Sequence, residues 1–254
     1  MCGRYSITTP PEAIQRIFEV PERLNMPARY NVAPTQDAPV VRLGDDDARH
    51  LNQLRWGLVP FWADDPGIGA RMINARAESA ADKPAFRVAF QGRRCLVVAD
   101  GFYEWQKPAI KGGRKQPFRI VRHDERPFAF AGLWERWQQP ESEAPPLETF
   151  TILTTDANAR VRPIHERMPV MLDETQFDGW LDPQASRSSL ERLLRPYPAE
   201  KVHTYAVSTR VNKVENDDPA VIAPTGDHDV GRQGDEAASS ESDAPSSGGQ
   251  GRLL

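Results

Sequence analysis

The chain has 254 residues, 39% hydrophobic and 27% charged, which suits one large domain able to bury a real core and excludes a mini-protein held by disulfide staples. Its 23 prolines against 17 glycines predict rigid connections and short elements rather than a helical bundle. The formal net charge of −4 speaks against a nucleic-acid partner only until it is located: residues 226–254 carry six acids and two bases, the whole excess, and residues 1–225 carry 30 of each.

The opening segment, MCGRYSITTPPEA, lacks the basic-then-apolar layout of a secretory signal. No apolar run approaches the ~20 residues of a membrane span, so a cytoplasmic chain with no membrane partner is expected. Thr9, Pro10 and Glu12 set an N-cap, a first-turn proline and an acid at N3, while Ile14, Ile17 and Phe18 recur at helical spacing, predicting a helix over residues 10–19. Runs rich in β-branched and aromatic residues then predict strands at Pro39–Leu43, Gln53–Val59, Cys95–Ala99, Phe118–Arg122, Phe128–Trp134, Thr149–Thr154 and Lys201–Ser208. Helical patterns fall at Glu78–Gln91, Asp156–Arg160, Thr175–Leu181 and Ser186–Leu194. Strands and helices do not alternate regularly. A doubly wound parallel sheet is therefore disfavoured, and residues 1–225 are expected to form one α+β domain, mostly antiparallel β with a barrel-like sheet and short flanking helices. Gln138–Leu147 reads as a loop. From residue 226 onward Gly, Ser, Asp and Glu dominate without an aromatic residue, too little apolar surface to offset the entropy of ordering, which predicts a disordered acidic tail over 226–254.

Cys2 and Cys95 are the only cysteines, which excludes a disulfide framework and a Cys-rich zinc site; the histidines show no metal-ligand spacing, so neither metal nor other cofactor is expected. Removal of Met1 turns Cys2 into a 1,2-aminothiol. An α-amine titrating near ~7.7–8.0 and a thiol near ~8.5 both hold usable fractions of nucleophile at neutral pH. Two chemistries follow: the thiol attacks a carbonyl with the amine as its base, or the amine condenses with an aldehyde and the thiolate closes the imine to a thiazolidine. Position alone also fits an incidental cysteine. Gly3 and Arg4 place a flexible joint and a fixed cation beside it, suited to an anionic ligand. In MINARAES, Met72–Ser79, Asn74 and Arg76 share one face of an extended segment, where Asn orients an amine or oxyanion and Arg grips a phosphate. A turn asparagine and a surface salt-bridge arginine fit the same spacing. Glu104, set among Phe102, Tyr103 and Trp105, is a candidate general acid raised by desolvation, or a surface acid at a strand end. His165 follows Arg160 and Arg162 and is a candidate proton shuttle or a structural hydrogen-bonder. In GLVPFWADDPG, Pro60, Phe61 and Trp62 cannot all point inward, so Phe61 and Trp62, with arginine, offer a stacking platform for unpaired bases. Arginine outnumbers lysine 24 to six over residues 1–225, which suits bidentate phosphate recognition and equally reflects codon usage.

Taken in order, MCGRY, YNVAPTQ (Tyr30–Gln36), RWGLVPFW (Arg55–Trp62), NARAE (Asn74–Glu78), RRCLVVADGFYEW, AFAGLW and IHERMP resemble the SOS-response-associated peptidase (SRAP) family, the abasic-site processing proteins, over nearly all of residues 2–224. The resemblance implies a single, mostly antiparallel β domain, a monomer acting without a cofactor on single-stranded DNA that contains abasic sites, cytoplasmic and nucleoid-associated when on DNA. It implies covalent capture by Cys2 as a thiazolidine, with Asn74 positioning the amine, Glu104 serving as acid and base in ring opening and reversal, and His165 shuttling a proton. Arg4 and Arg76 match positions that hold phosphates, and Phe61, Trp62, Arg160 and Arg162 are expected at the DNA-binding surface, with Arg210 and Asn212 in similar segments. Lyase behaviour would follow from β-elimination at an imine, and the peptidase label from self-removal of Met1. The tail leaves room for replication-fork proteins as partners. Two other classes fit parts of the same residues: an N-terminal-nucleophile cysteine peptidase or amidohydrolase acting on other proteins, and a non-covalent single-strand-binding module in which Cys2 is incidental.

Overall fold

Short apolar runs, β-branched and broken by Pro, Gly and Asp, fold into strands wherever their two faces find partners. The computed structural model describes residues 2–226 except 24, 109, 111, 140 and 141; all of the predicted tail but its first residue lies outside the described residues. In chain order the elements are β1 (Tyr5–Ile7), α1 (Pro11–Phe18), β2 (Arg29–Val32), β3 (Asp37–Leu43), β4 (Arg49–Trp56), β5 (Asn74–Arg76), α2 (Ala77–Ala80), α3 (Arg87–Gly92), β6 (Arg94–Ala99), β7 (Gly101–Gln106), β8 (Gln116–Arg122), β9 (Phe128–Trp137), β10 (Leu147–Asp156), β11 (Arg167–Pro169), β12 (Met171–Leu172), α4 (Phe177–Leu181), α5 (Arg187–Leu193) and β13 (Val202–Ala206).

Strands β3, β4, β10, β9 and β6 pair in a closed ring, β6 returning to β3. Only the β4–β10 contact in that ring is parallel. Closure removes the exposed edges that an open sheet must protect. All six residues of β6 are buried, and in β9 the alternation of Phe128 and Phe130 with Ala129 and Ala131 puts the large side chains on one face of the strand and the small ones on the other, both buried. Gly132 sits opposite Cys95; a Cβ there would lie 2.8 Å from the Cys95 sulfur, so only glycine admits that approach. A second, antiparallel sheet runs β13-β8-β7-β1-β2 and joins the barrel where β6 passes through Asp100 into β7. Tyr5 of β1 sends its ring edge-on toward Trp56 and Phe130, with centroids 5.1 and 5.7 Å away, and couples the two sheets. The expected mostly antiparallel, barrel-like α+β domain with short helices is thus the fold observed.

Local boundaries differ from expectation for identifiable reasons. The helix expected over Glu78–Gln91 breaks into α2 and α3 around Lys83 and Pro84, where proline cannot continue the helical bonding. The helix expected over Asp156–Arg160 does not form: Asp156 ends β10 and the chain then turns, the Asn158 side chain accepting the Arg160 and Val161 backbone N–H groups at 3.1 and 2.9 Å. Thr9 does not cap α1; its backbone N–H and hydroxyl donate instead to Asp100, and Pro10 stands at the cap position. The strand expected to reach Val59 stops at Trp56, since Gly57, at φ 128°, turns the chain against Gly69. Among the described residues no helix is long and apolar enough to cross a membrane.

Candidate active site

Strands β1 and β7 run antiparallel with Tyr5 opposite Phe102 and Ser6 opposite Gly101, and the Tyr103 N–H donates to the Arg4 carbonyl at 3.0 Å. Continuing that register sets Gly3 opposite Glu104. Opposed residues share a face of the sheet, so in this register the carboxylate stands across from a residue with no side chain. Cys2 is fully buried, its thiol directed at the Arg4 carbonyl 3.7 Å away. Asn74 Nδ2 donates to the Cys2 carbonyl at 2.8 Å. Asn74 opens β5, which lies beside β10 with Ile152 opposite Asn74 and Thr154 opposite Arg76. Ala75 is buried, which leaves Asn74 and Arg76 on the other face, as their spacing predicts.

Glu104 is 2% exposed, and burial pushes its carboxyl up to about 7 against the opposing pull of the amino-terminal charge. Burial, then the Glu104 charge, holds the Cys2 thiol well above its ordinary range, so the neutral thiol predominates at neutral pH. His165 is half-buried and its pKa is lowered, first by burial and then by the same amino-terminal charge. Its Nδ1 lies 3.0 Å from the Arg167 nitrogen and 3.1 Å from the Arg167 oxygen. Gln106 of β7 donates to the Pro163 carbonyl at 3.1 Å, tying the turn that carries His165 to the strand that carries Glu104. Cys2, Asn74, Glu104 and His165, scattered over more than 160 positions of sequence, thus meet around the start of β1.

A groove of about 930 Å³ is lined by Arg4 and Trp105, chain neighbours of this centre, with Arg114, Lys115, Arg210 and Lys213 and with Glu215 as the single acid in its wall. A second pocket, of about 420 Å³, has walls that include Trp62, Asn74, Arg76, Lys83 and Phe86. Arg4 belongs to the first, Asn74 and Arg76 to the second. Phe61 and Trp62 are 53% and 48% exposed while Pro60 is buried, as the crowding of three bulky residues requires. Arg160 and Arg162 lie on the turn that leads to His165, outside the residues lining either cavity. Sequence reasoning passed over Arg114, Lys115 and Lys213. The run KGGRK at 111–115 held that signal, since clustered cations mark a phosphate-binding stretch. It also missed Arg167, whose guanidinium grips Glu78 with two bonds of 2.7 and 2.8 Å and so joins the His165 turn to the element after Asn74. Among the described residues no three His, Cys, Asp or Glu side chains are placed to hold a metal ion.

The family model described as SOS response associated peptidase (SRAP) matches residues 1–214. The chain belongs to the SRAP family. SRAP relatives include the abasic site processing protein YoqW of Bacillus subtilis, 41% identical over 227 residues, a match covering 87% of this chain and 99% of that protein. The abasic site processing protein HMCES of Gallus gallus is 36% identical over 226 residues, covering 77% of this chain and 66% of its own length. A crystal structure of a protein from Bacteroides thetaiotaomicron is similar to this SRAP fold with a TM-score of 0.78 at 28% identity, covering 88% of this chain and 100% of the other.

Proposed function

We propose that this chain processes abasic sites in DNA, capturing the lesion in single-stranded DNA as a covalent adduct of Cys2. The observation that carries the reading is the meeting of Cys2 with Asn74, Glu104 and His165 between a cationic groove and an aromatic pocket. The relatives named abasic site processing proteins support the same substrate. Removal of Met1 frees the Cys2 amine. An abasic deoxyribose exposes its C1′ aldehyde only when the ring is open, and a carboxyl titrating near 7 can give a proton to the ring oxygen and take one from the C1′ hydroxyl. The amine adds to C1′, the carbinolamine loses water with a proton from Glu104, and an imine remains. The thiol then gives up its proton and closes on C1′, the imine nitrogen is protonated, and a thiazolidine results; aldehyde and aminothiol have become the ring and one water. His165 relays the protons, Asn74 fixes the Cys2 carbonyl so that its amine faces the sugar, and Arg4 and Arg76 hold phosphates on either side. Trp62 and Phe61 stack the neighbouring bases. Elimination of the 3′ phosphate from the imine would give lyase behaviour, and self-removal of Met1 would account for the peptidase label. Arg160 and Arg162 extend the cationic surface beyond the His165 turn, and the protein acts as a monomer.

The test is incubation with a single-stranded oligonucleotide carrying one abasic site, followed by a denaturing gel. A shifted band that survives denaturation and disappears in Cys2→Ala is expected. Salt-sensitive binding without that band would instead favour a non-covalent module, and Cys2-dependent hydrolysis of peptides a protease. An intact mass that still includes Met1 would sink the covalent mechanism.

A further inference from the structure

The outer wall of the cationic groove, residues 209–216, begins as a single 3-10 turn and continues without strand or helix. Beneath it lies a small core of Tyr103, Val207, Val211 and Val221, separate from the main one. Tyr30, Trp105, Tyr205 and Ile222 pack against that core, and the polar bonds that fix the wall's backbone converge on two residues that no step of the chemistry uses. Asn31, fully buried in β2, aims its two amide protons at three wall carbonyls, those of Val211, Lys213 and Asn216, at 3.2, 3.0 and 2.9 Å. Asp217 closes the clasp from the other side. Its carboxylate accepts the backbone N–H groups of Tyr30 and Asn31, the latter at 2.9 Å, and pairs with Arg29 Nε at 2.6 Å. Neither side chain lines the groove. Because β2 lies beside β1 with Val32 opposite Tyr5, the clasp references the wall to the strand that carries Arg4 and Cys2.

We infer that Asn31 and Asp217 are positioning residues for the DNA strand: they hold Arg210, Asn212 and Lys213 at a fixed distance across the groove from Arg4, and so set affinity for a phosphate backbone they never touch. The inference rests on the groove being the single-strand site. Deleting the Asn31 amide leaves three wall carbonyls without their partner, and the wall then gains freedom that binding must take away again. Trp105 also donates to Asn212 at 2.7 Å, so a loosened wall shifts a stacking face along with the cations.

The test compares wild type, Asn31→Ala and the milder Asp217→Asn by equilibrium binding of an unmodified single-stranded 15-mer and by amide hydrogen exchange. Uptake of propanal by Cys2, read as intact mass, serves as a control for chemistry that needs no groove. Asn31→Ala is expected to bind the 15-mer about tenfold more weakly. Its amides over 209–216 should exchange faster while those of the barrel strands are unchanged, and propanal should add at the wild-type rate. Asp217→Asn should fall between. Binding within about twofold of wild type in both variants overturns the inference, as does unchanged exchange over 209–216. A wild type that binds no 15-mer overturns the groove reading itself, and the exchange data still report separately whether Asn31 braces the wall.

Discussion

At Glu104 burial and charge compete, and burial wins: a carboxyl that would ionise near 4.5 holds its proton to about 7. Its acid form is therefore present up to neutrality, while the Cys2 amine, with an ordinary value of ~7.7–8.0, is only partly free there and gains nucleophile as the pH rises. Capture is expected to follow a bell-shaped pH profile centred between these values, measured as initial rates of adduct formation, and Glu104→Gln should lower the rate and erase the alkaline limb. The same shift has a cost in stability. As pH rises past about 4.5 the unfolded chain releases this proton first, so the Glu104 contribution to folding declines until the native group ionises near 7. Glu104→Gln is thus expected to unfold at higher urea than wild type at about pH 8, by on the order of 3 kcal/mol, with the difference vanishing below about pH 4. A variant that gains no stability at alkaline pH would contradict the buried, uncharged-favouring site.

At the scale of elements, the position of Cys2 depends on what fastens β1. Asp100, between β6 and β7, accepts Ser6 Oγ at 2.7 Å, the Thr9 backbone N–H at 2.8 Å and Thr8 Oγ1 at 2.9 Å, and pairs with buried Arg119 at 3.2 Å. This one carboxylate gathers the far end of β1 and the approach to α1 onto the strand that bears Glu104. Asp100→Ala strands those donors and a buried guanidinium, and is expected to destabilise the fold by about 3–5 kcal/mol and to slow adduct formation; thermal melts and capture rates at low temperature separate the two effects. Element legibility followed length. Long runs such as Phe128–Trp134 and Phe118–Arg122 announced β9 and β8, whereas the three-residue strands β1, β5 and β11 carry too few residues for a periodicity and exist only because a neighbour pairs with them. Those short strands carry or adjoin Cys2, Asn74 and His165, so local pattern was weakest where the site is built.

Across the whole molecule, neutral charge conceals a divided surface. The groove gathers Arg4, Arg114, Lys115, Arg210 and Lys213 although the body up to residue 225 sums to zero. Binding of single-stranded DNA should therefore weaken steeply with salt, and each of Arg114→Ala and Lys213→Ala should reduce the slope of log K against log salt by about 0.7. Slopes unchanged in both would place the strand elsewhere. The sequence by itself determined the domain's class, the neutral body, a cysteine at the second position and, through ordered motifs, the family. Chemistry and composition are properties of residue types, and they survive without coordinates. Only the tertiary structure decided that β3, β4, β6, β9 and β10 close into a barrel, that β1 pairs with β7, and that residues 209–216 hang from Asn31 to face Arg4. Each of these is a pairing between segments distant in sequence, fixed by register and burial, and no local pattern encodes which distant partner a strand will meet.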